Sequence, residues 1–168
     1  LEALGIGEVG KETACLDSWL KKVGDAWNRK AGRMLIWRSR APQAATLLAK
    51  LLLDPAVPTT EHPQLLRALD FHRAEPKQAA LTMLLQGDSN RNPATYLEAF
   101  QRATPELLKA HPNAITQVES ALIASKGTVT FVDLVSRYNR RDLISHLMDM
   151  VKSDPEKEAG IRAVGQII

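Results

Sequence analysis

Leu65-Leu66-Arg67-Ala68-Leu69 sets two apolar residues, a charge and two more apolar residues in a row. The pattern returns in Tyr96-Leu97-Glu98-Ala99-Phe100 and again in Phe131-Val132-Asp133-Leu134-Val135. A second series runs at a shifted phase. Its members are Gln43-Ala44-Ala45, Gln78-Ala79-Ala80, a weaker one near Gln117, and Glu158-Ala159-Gly160, spaced by 35, 39 and 41 residues. A period of about 40 residues with two helices per unit is the mark of an α-solenoid of HEAT or armadillo type. The expected fold is therefore all-α, a superhelix of about four to five helical hairpins.

The surrounding sequence agrees with such a body. At 168 residues, 45% of them hydrophobic and 24% charged, the chain is long enough to bury a core. Nothing approaches the 18 or so consecutive apolar residues of a membrane span. Residues 1–10 read as a flexible lead-in and 11–168 as a single helical-repeat domain. The start at Leu1 and the apolar finish at Ile167-Ile168 read as a piece of a larger protein.

Helix signals recur along the chain. Leu16, Trp19, Leu20, Val23 and Trp27 make one apolar stripe, which predicts a helix from about Lys11 to Asn28. Gly32 is expected to interrupt, with a further turn or two over Arg33–Ser39. Pro42 suits a first helical turn, and Ala44, Leu47, Leu48, Leu51 and Leu52 form that helix's buried face. Thr60 can cap the next helix, with Pro63 in its first turn. Glu75-Pro76, Asn92-Pro93, Thr104-Pro105 and Ser153-Asp154-Pro155 open others, and Gly127 suits a left-handed C-terminal cap. Thr128-Val129-Thr130-Phe131-Val132 is rich in β-branched residues but has no partner strand. It reads as a helix start with Thr130 as the cap.

Catalytic patterns are absent from the sequence. His62, His72, His111 and His146 share no i, i+4 spacing with one another or with Cys15. His72, near Asp70 and Glu75, is the best metal or base candidate, but a helix-end histidine with solvent or carbonyl partners explains it more simply. Cys15 is alone, so neither an internal disulfide nor Cys-x-x-Cys is available. Gly5-Ile6-Gly7-Glu8-Val9-Gly10 has loop-like glycine spacing without a preceding strand, and reads as part of the lead-in. The segment is expected to be non-enzymatic, with no catalytic, cofactor or metal residues, and to hold neither haem nor zinc.

Charge is uneven. Residues 1–41 hold eight bases against five acids, in a chain of net charge +3. Lys21, Lys22, Arg29, Lys30, Arg33, Arg38 and Arg40 form a candidate basic surface. With Trp19, Trp27 and Trp37 nearby, they could stack bases and hold phosphates. Against this, two of the tryptophans already belong to the apolar stripe, and +3 is small for a nucleic-acid binder. A solvated face with inter-repeat bridges is the preferred reading. The neighbourhood of Arg137-Tyr138 and Arg141-Asp142 reads the same way.

The run Ile36-Trp37-Arg38-Ser39-Arg40-Ala41-Pro42-Gln43-Ala44-Ala45, followed by Leu65-Leu66-Arg67-Ala68-Leu69-Asp70-Phe71-His72, resembles a helical segment of large exported proteins of planctomycetes and verrucomicrobia. Those proteins resemble a fusion of a sugar-dehydrogenase-like β-propeller, a HEAT-like region and a C-terminal c-type haem domain with Cys-x-x-Cys-His. This chain has no Cys-x-x-Cys-His and no propeller repeat, so neither haem nor dehydrogenase residues carry over. The resemblance implies a spacer or scaffold role within a haem-containing oxidoreductase-like parent, and a periplasmic or cell-envelope home. The expected partner is a protein or a neighbouring domain of the same chain. The alternative is a nucleic-acid-binding HEAT-like domain of the alkylated-base DNA glycosylase type.

Overall fold

The computed structural model describes residues 10–87, 92–137 and 141–167. The chain is all-α: the described residues form eleven α-helices and three short 3₁₀ turns, with no strand. Among them no helix is long and apolar enough to cross a membrane. The described residues form two compact units, one of residues 10–87 with Arg102–His111, the other of residues 92–101 with 112–137 and 141–167.

The first unit opens with α1 (Glu12–Val23). Glu12 lies in its first turn and Lys21 and Lys22 in its last, matching the helix dipole at both ends. Leu16 is buried, and Trp19 and Leu20 join it against Ala41 and Ala44. The apolar stripe predicted a helix running on to Asn28, but α1 stops at Gly24, whose φ of 52° lies in the left-handed region. A 3₁₀ turn, Gly24–Asn28, carries Trp27 instead. The other expected break, Gly32, sits buried inside α2 (Lys30–Arg38). A Cβ there would collide with the Trp27 carbonyl and press on the Trp19 ring. Gly32 thus serves close approach and not interruption.

Four further helices and a 3₁₀ turn complete the described part of this unit. α3 (Pro42–Leu53) has Pro42 in its first turn and buries Ala44, Ala45, Leu48, Ala49, Leu51 and Leu52. α4 (His62–Leu69) follows a 3₁₀ turn, Thr59–Glu61. α5 (Ala74–Leu85) buries Ala80, Leu81, Leu84 and Leu85. α2 packs on α4, and α3 packs on both α4 and α5. Gln43, head of the second sequence series, ties α3 back to α1 by donating to the Thr13 carbonyl at 3.1 Å and to Asp17 at 3.0 Å. The short α7 (Pro105–Ala110) is capped by Thr104, whose hydroxyl accepts from the Leu107 N–H.

Most of the second unit is built from α6 (Pro93–Arg102, its last residue falling in the first unit), α8 (Pro112–Ala124), α9 (Val129–Arg137), α10 (Ile144–Ser153) and α11 (Glu158–Ile167). α8 is capped off by a turn in which Gly127 has φ 86°, as its left-handed cap role predicts. Thr128, not Thr130, caps α9: its hydroxyl accepts from the Phe131 N–H at 3.2 Å. α11 packs on α9 and α10, and Arg162 joins Asp133 of α9 at 3.3 Å.

The pattern that opened the sequence has one burial phase throughout. In α4, Leu65, Leu66, Ala68 and Leu69 are buried and Arg67 is exposed. In α6 the four apolar members are buried around a half-buried Glu98, and in α9 they are buried around an exposed Asp133. Helical geometry requires this, because i, i+1, i+3 and i+4 share one face and i+2 leaves it. Leu48, Leu66, Leu69, Phe100, Leu134 and Leu147 are all buried as core. Burial of each such side chain contributes roughly 1.5–3 kcal/mol. Of the sequence expectations, the lead-in apart from Gly10, Tyr138 and the side chain of Arg137 lie outside the described residues.

Candidate binding recess

The C-terminal end of α2 and the outer face of α4 enclose a partly open recess of about 320 Å³. Trp37, Arg38, Arg40, Gln64, Arg67 and Phe71 line it, all within the first unit. Local backbone chemistry explains the display. Ser39 ends α2 in an extended conformation, its N–H donating to the Leu35 and Ile36 carbonyls. Its buried hydroxyl accepts from the Ala41 N–H at 3.3 Å, and Ala41 is fully buried. With Ser39 and Ala41 turned inward, the alternation of extended backbone turns Arg38 and Arg40 outward. On α4, Gln64 and Arg67 are three apart and share a face, and Phe71 continues that row just past the helix end.

Two stacked pairs order the recess. The Arg38 guanidinium carbon lies 5.3 Å from the Trp37 ring centre, and that of Arg40 lies 4.7 Å from the Phe71 ring centre. Each is a cation–π contact worth about 0.5–1 kcal/mol at an exposed site. Phe71 is nevertheless 56% exposed, unusual for so apolar a ring. Among the described residues no carboxylate lines the recess. Among the described residues no ion pair involves Arg38, Arg40 or Arg67.

The acids nearest in sequence are engaged elsewhere. Glu61 takes a two-pronged bridge from Arg33, Nε to Oε2 at 2.7 Å and Nη2 to Oε1 at 2.8 Å. The Arg33 hydrogen bond holds the Glu61 carboxyl below its ordinary range, outweighing the opposing effect of burial. Arg33 also donates to the Asn28 carbonyl at 2.8 Å. The arrangement locks α2, the turn before it and the start of α4 together. Asp70 accepts from Lys77 at 2.8 Å and from Arg102 at 3.3 Å. Burial raises its pKa, but the Lys77 hydrogen bond and the charges of Arg102 and Lys77 prevail and hold it low.

The seven basic residues singled out in the sequence therefore divide. Arg38 and Arg40 meet in the recess. Arg33 is turned to Glu61. Lys21 and Lys22 lie exposed at the end of α1, and Arg29 and Lys30 lie exposed at the start of α2, none of them lining the recess. The sequence reading missed Gln64, Arg67 and Phe71. Their signal is the charge at the centre of the repeated pattern and an aromatic just beyond it.

His72 is only 8% exposed, so of the solvent or carbonyl partners expected for a helix-end histidine, solvent is largely excluded. Burial lowers its pKa and the Arg40 charge lowers it further, so the ring is neutral near neutral pH. Its Nε2 is buried and has no hydrogen-bond partner among the described residues. Among the described residues no group of three or more His, Cys, Asp or Glu side chains is placed to hold a metal ion. Comparison of the chain with protein-family models, curated proteins and solved structures finds no match.

Proposed function

We propose that this chain is a non-catalytic helical-repeat module that binds a protein partner or a neighbouring domain, and that the arginine recess is part of the contact surface. The observation that carries this is the recess: three guanidiniums without an ion-pair partner among the described residues and an exposed Phe71 ring, held on packed helices. Arginine and aromatic side chains are the residues that dominate protein interfaces. A solenoid of stacked hairpins supplies a support of this kind, because each hairpin buries its apolar face only against its neighbours. The packing of α2 on α4 and α3 on α5, and the common burial phase of three helices, support a HEAT-like repeat. The resemblance to exported planctomycete and verrucomicrobial proteins supports a scaffold role between a propeller and a haem domain, in the cell envelope.

A displayed library of random peptides, selected against the folded chain, tests the reading. Peptides whose binding is lost in an Arg38→Glu, Arg40→Glu double variant are the expected outcome. A folded chain that enriches no peptide would contradict it. Nucleic-acid binding is the second reading, favoured by the same stacked arginines.

A further inference from the structure

We propose that the recess binds a short acidic protein segment, with Arg38, Arg40 and Arg67 holding its carboxylates and Trp37 and Phe71 packing on an apolar side chain beside them. This rests on the protein-binding reading and adds the chemistry of the ligand. A stacked guanidinium uses its face, while its N–H donors lie in the plane and stay available. Arg38 and Arg40 are thus held in place yet retain donors for a flat, bidentate carboxylate. The pinned Ser39–Ala41 link orders their backbone, so less conformational entropy is lost on binding. Three like charges around a recess with no lining carboxylate repel one another, and an anion relieves that repulsion. The exposed part of Phe71 is covered only when an apolar group arrives with the anion.

An acidic peptide fits better than a nucleic acid for a geometric reason. A strand of nucleic acid is gripped by a basic groove that follows its backbone over several nucleotides. Here the basic lining is local: Arg33 is engaged by Glu61, and Lys21, Lys22, Arg29 and Lys30 lie outside the lining.

The test uses the whole chain, labelled so that arginine side-chain N–H resonances are resolved by NMR. Three probes are titrated at physiological salt: a peptide of alternating glutamate and phenylalanine, its glutamine counterpart, and a single-stranded oligonucleotide. The glutamate peptide is expected to shift the Arg38, Arg40 and Arg67 resonances saturably, and the glutamine peptide to leave them in place. Arg67→Gln should weaken the glutamate peptide by about tenfold, the effect of one lost charge-assisted hydrogen bond, while Lys21→Gln should not. Arg67 is exposed, so that variant keeps the fold, which its amide spectrum verifies. The absence of a shift, an equal response to the glutamine peptide, or tighter binding of the oligonucleotide overturns the proposal. Library peptides that bind elsewhere on the chain would then leave the protein-binding reading standing, whereas an empty library selection removes that reading itself.

Discussion

Arg33 and Glu61 form a two-pronged ion pair at 2.7 and 2.8 Å that fastens α2 to the turn preceding α4. Both side chains are largely sheltered, at 13% and 29% exposure, so the pair is screened less than a free surface bridge. The pair joins the same two elements that line the recess: α2 supplies Trp37 and Arg38, and α4 supplies Gln64 and Arg67.

Glu61→Gln is expected to cost about 1–2 kcal/mol near neutral pH, between the value of an exposed pair and that of a charged hydrogen bond. The pair holds the Glu61 carboxyl below its ordinary 4.5, so its contribution is present above that value. It is lost as pH falls through the lower folded-state pKa. Urea unfolding of both proteins as a function of pH measures this. A gap that stays constant into strong acid would show that the carboxylate is not its source.

Gly32→Ala is expected to destabilise by about 1–3 kcal/mol, the range for overpacking a tight contact. The new methyl meets the Trp27 backbone, which cannot swing aside as a side-chain tip can. On helix propensity alone the same change would stabilise by about 1 kcal/mol. The sign of the shift in urea midpoint therefore decides between close approach and simple interruption.

These glycines mark where sequence periodicity reaches its limit. The stripe from Leu16 continues in phase to Trp27, so nothing in the apolar pattern reports the left-handed turn at Gly24. Gly32 has the composition of a helix breaker, and only the approach of Trp27 and Trp19 gives it a place inside α2. By contrast the patterns at Leu65, Tyr96 and Phe131 are legible, because their buried faces follow from helical geometry alone. The break between α7 and α8 at His111-Pro112 lies outside the sequence expectations, although Pro112 is one more proline at a helix start. Half of the recess is legible in the sequence. Trp37, Arg38 and Arg40 are adjacent in the chain, whereas Gln64, Arg67 and Phe71 join them only through the packing of α2 on α4, which no local pattern encodes.

Leu69→Ala tests the phase of the repeat. Leu69 is fully buried at the end of α4. Its truncation is expected to cost roughly 2–5 kcal/mol through lost contacts and the cavity left behind. A loss below about half a kcal/mol, the range of surface substitutions, would place Leu69 on the surface and break the shared register of the three helices.

His72 is expected to make the protein sensitive to acid. Its folded-state pKa is lowered from 6.5, so below that value the unfolded chain takes up a proton that the buried ring refuses. Stability therefore falls as pH drops below about 6.5, before the carboxylates titrate. His72→Gln should flatten this part of the stability–pH curve. Identical slopes in wild type and variant would mean that the ring is protonated in the folded protein.

The central claim is that the arginine recess serves a protein partner and not a nucleic acid. Titration of single-stranded and duplex DNA with the chain at physiological salt addresses it most directly. Binding no tighter than the roughly 10⁻⁴–10⁻⁶ M of generic phosphate contact is expected, and unaffected by Arg38→Glu with Arg40→Glu. Sub-micromolar binding that falls steeply with salt and disappears in that double variant would contradict the claim and make the recess a nucleic-acid site.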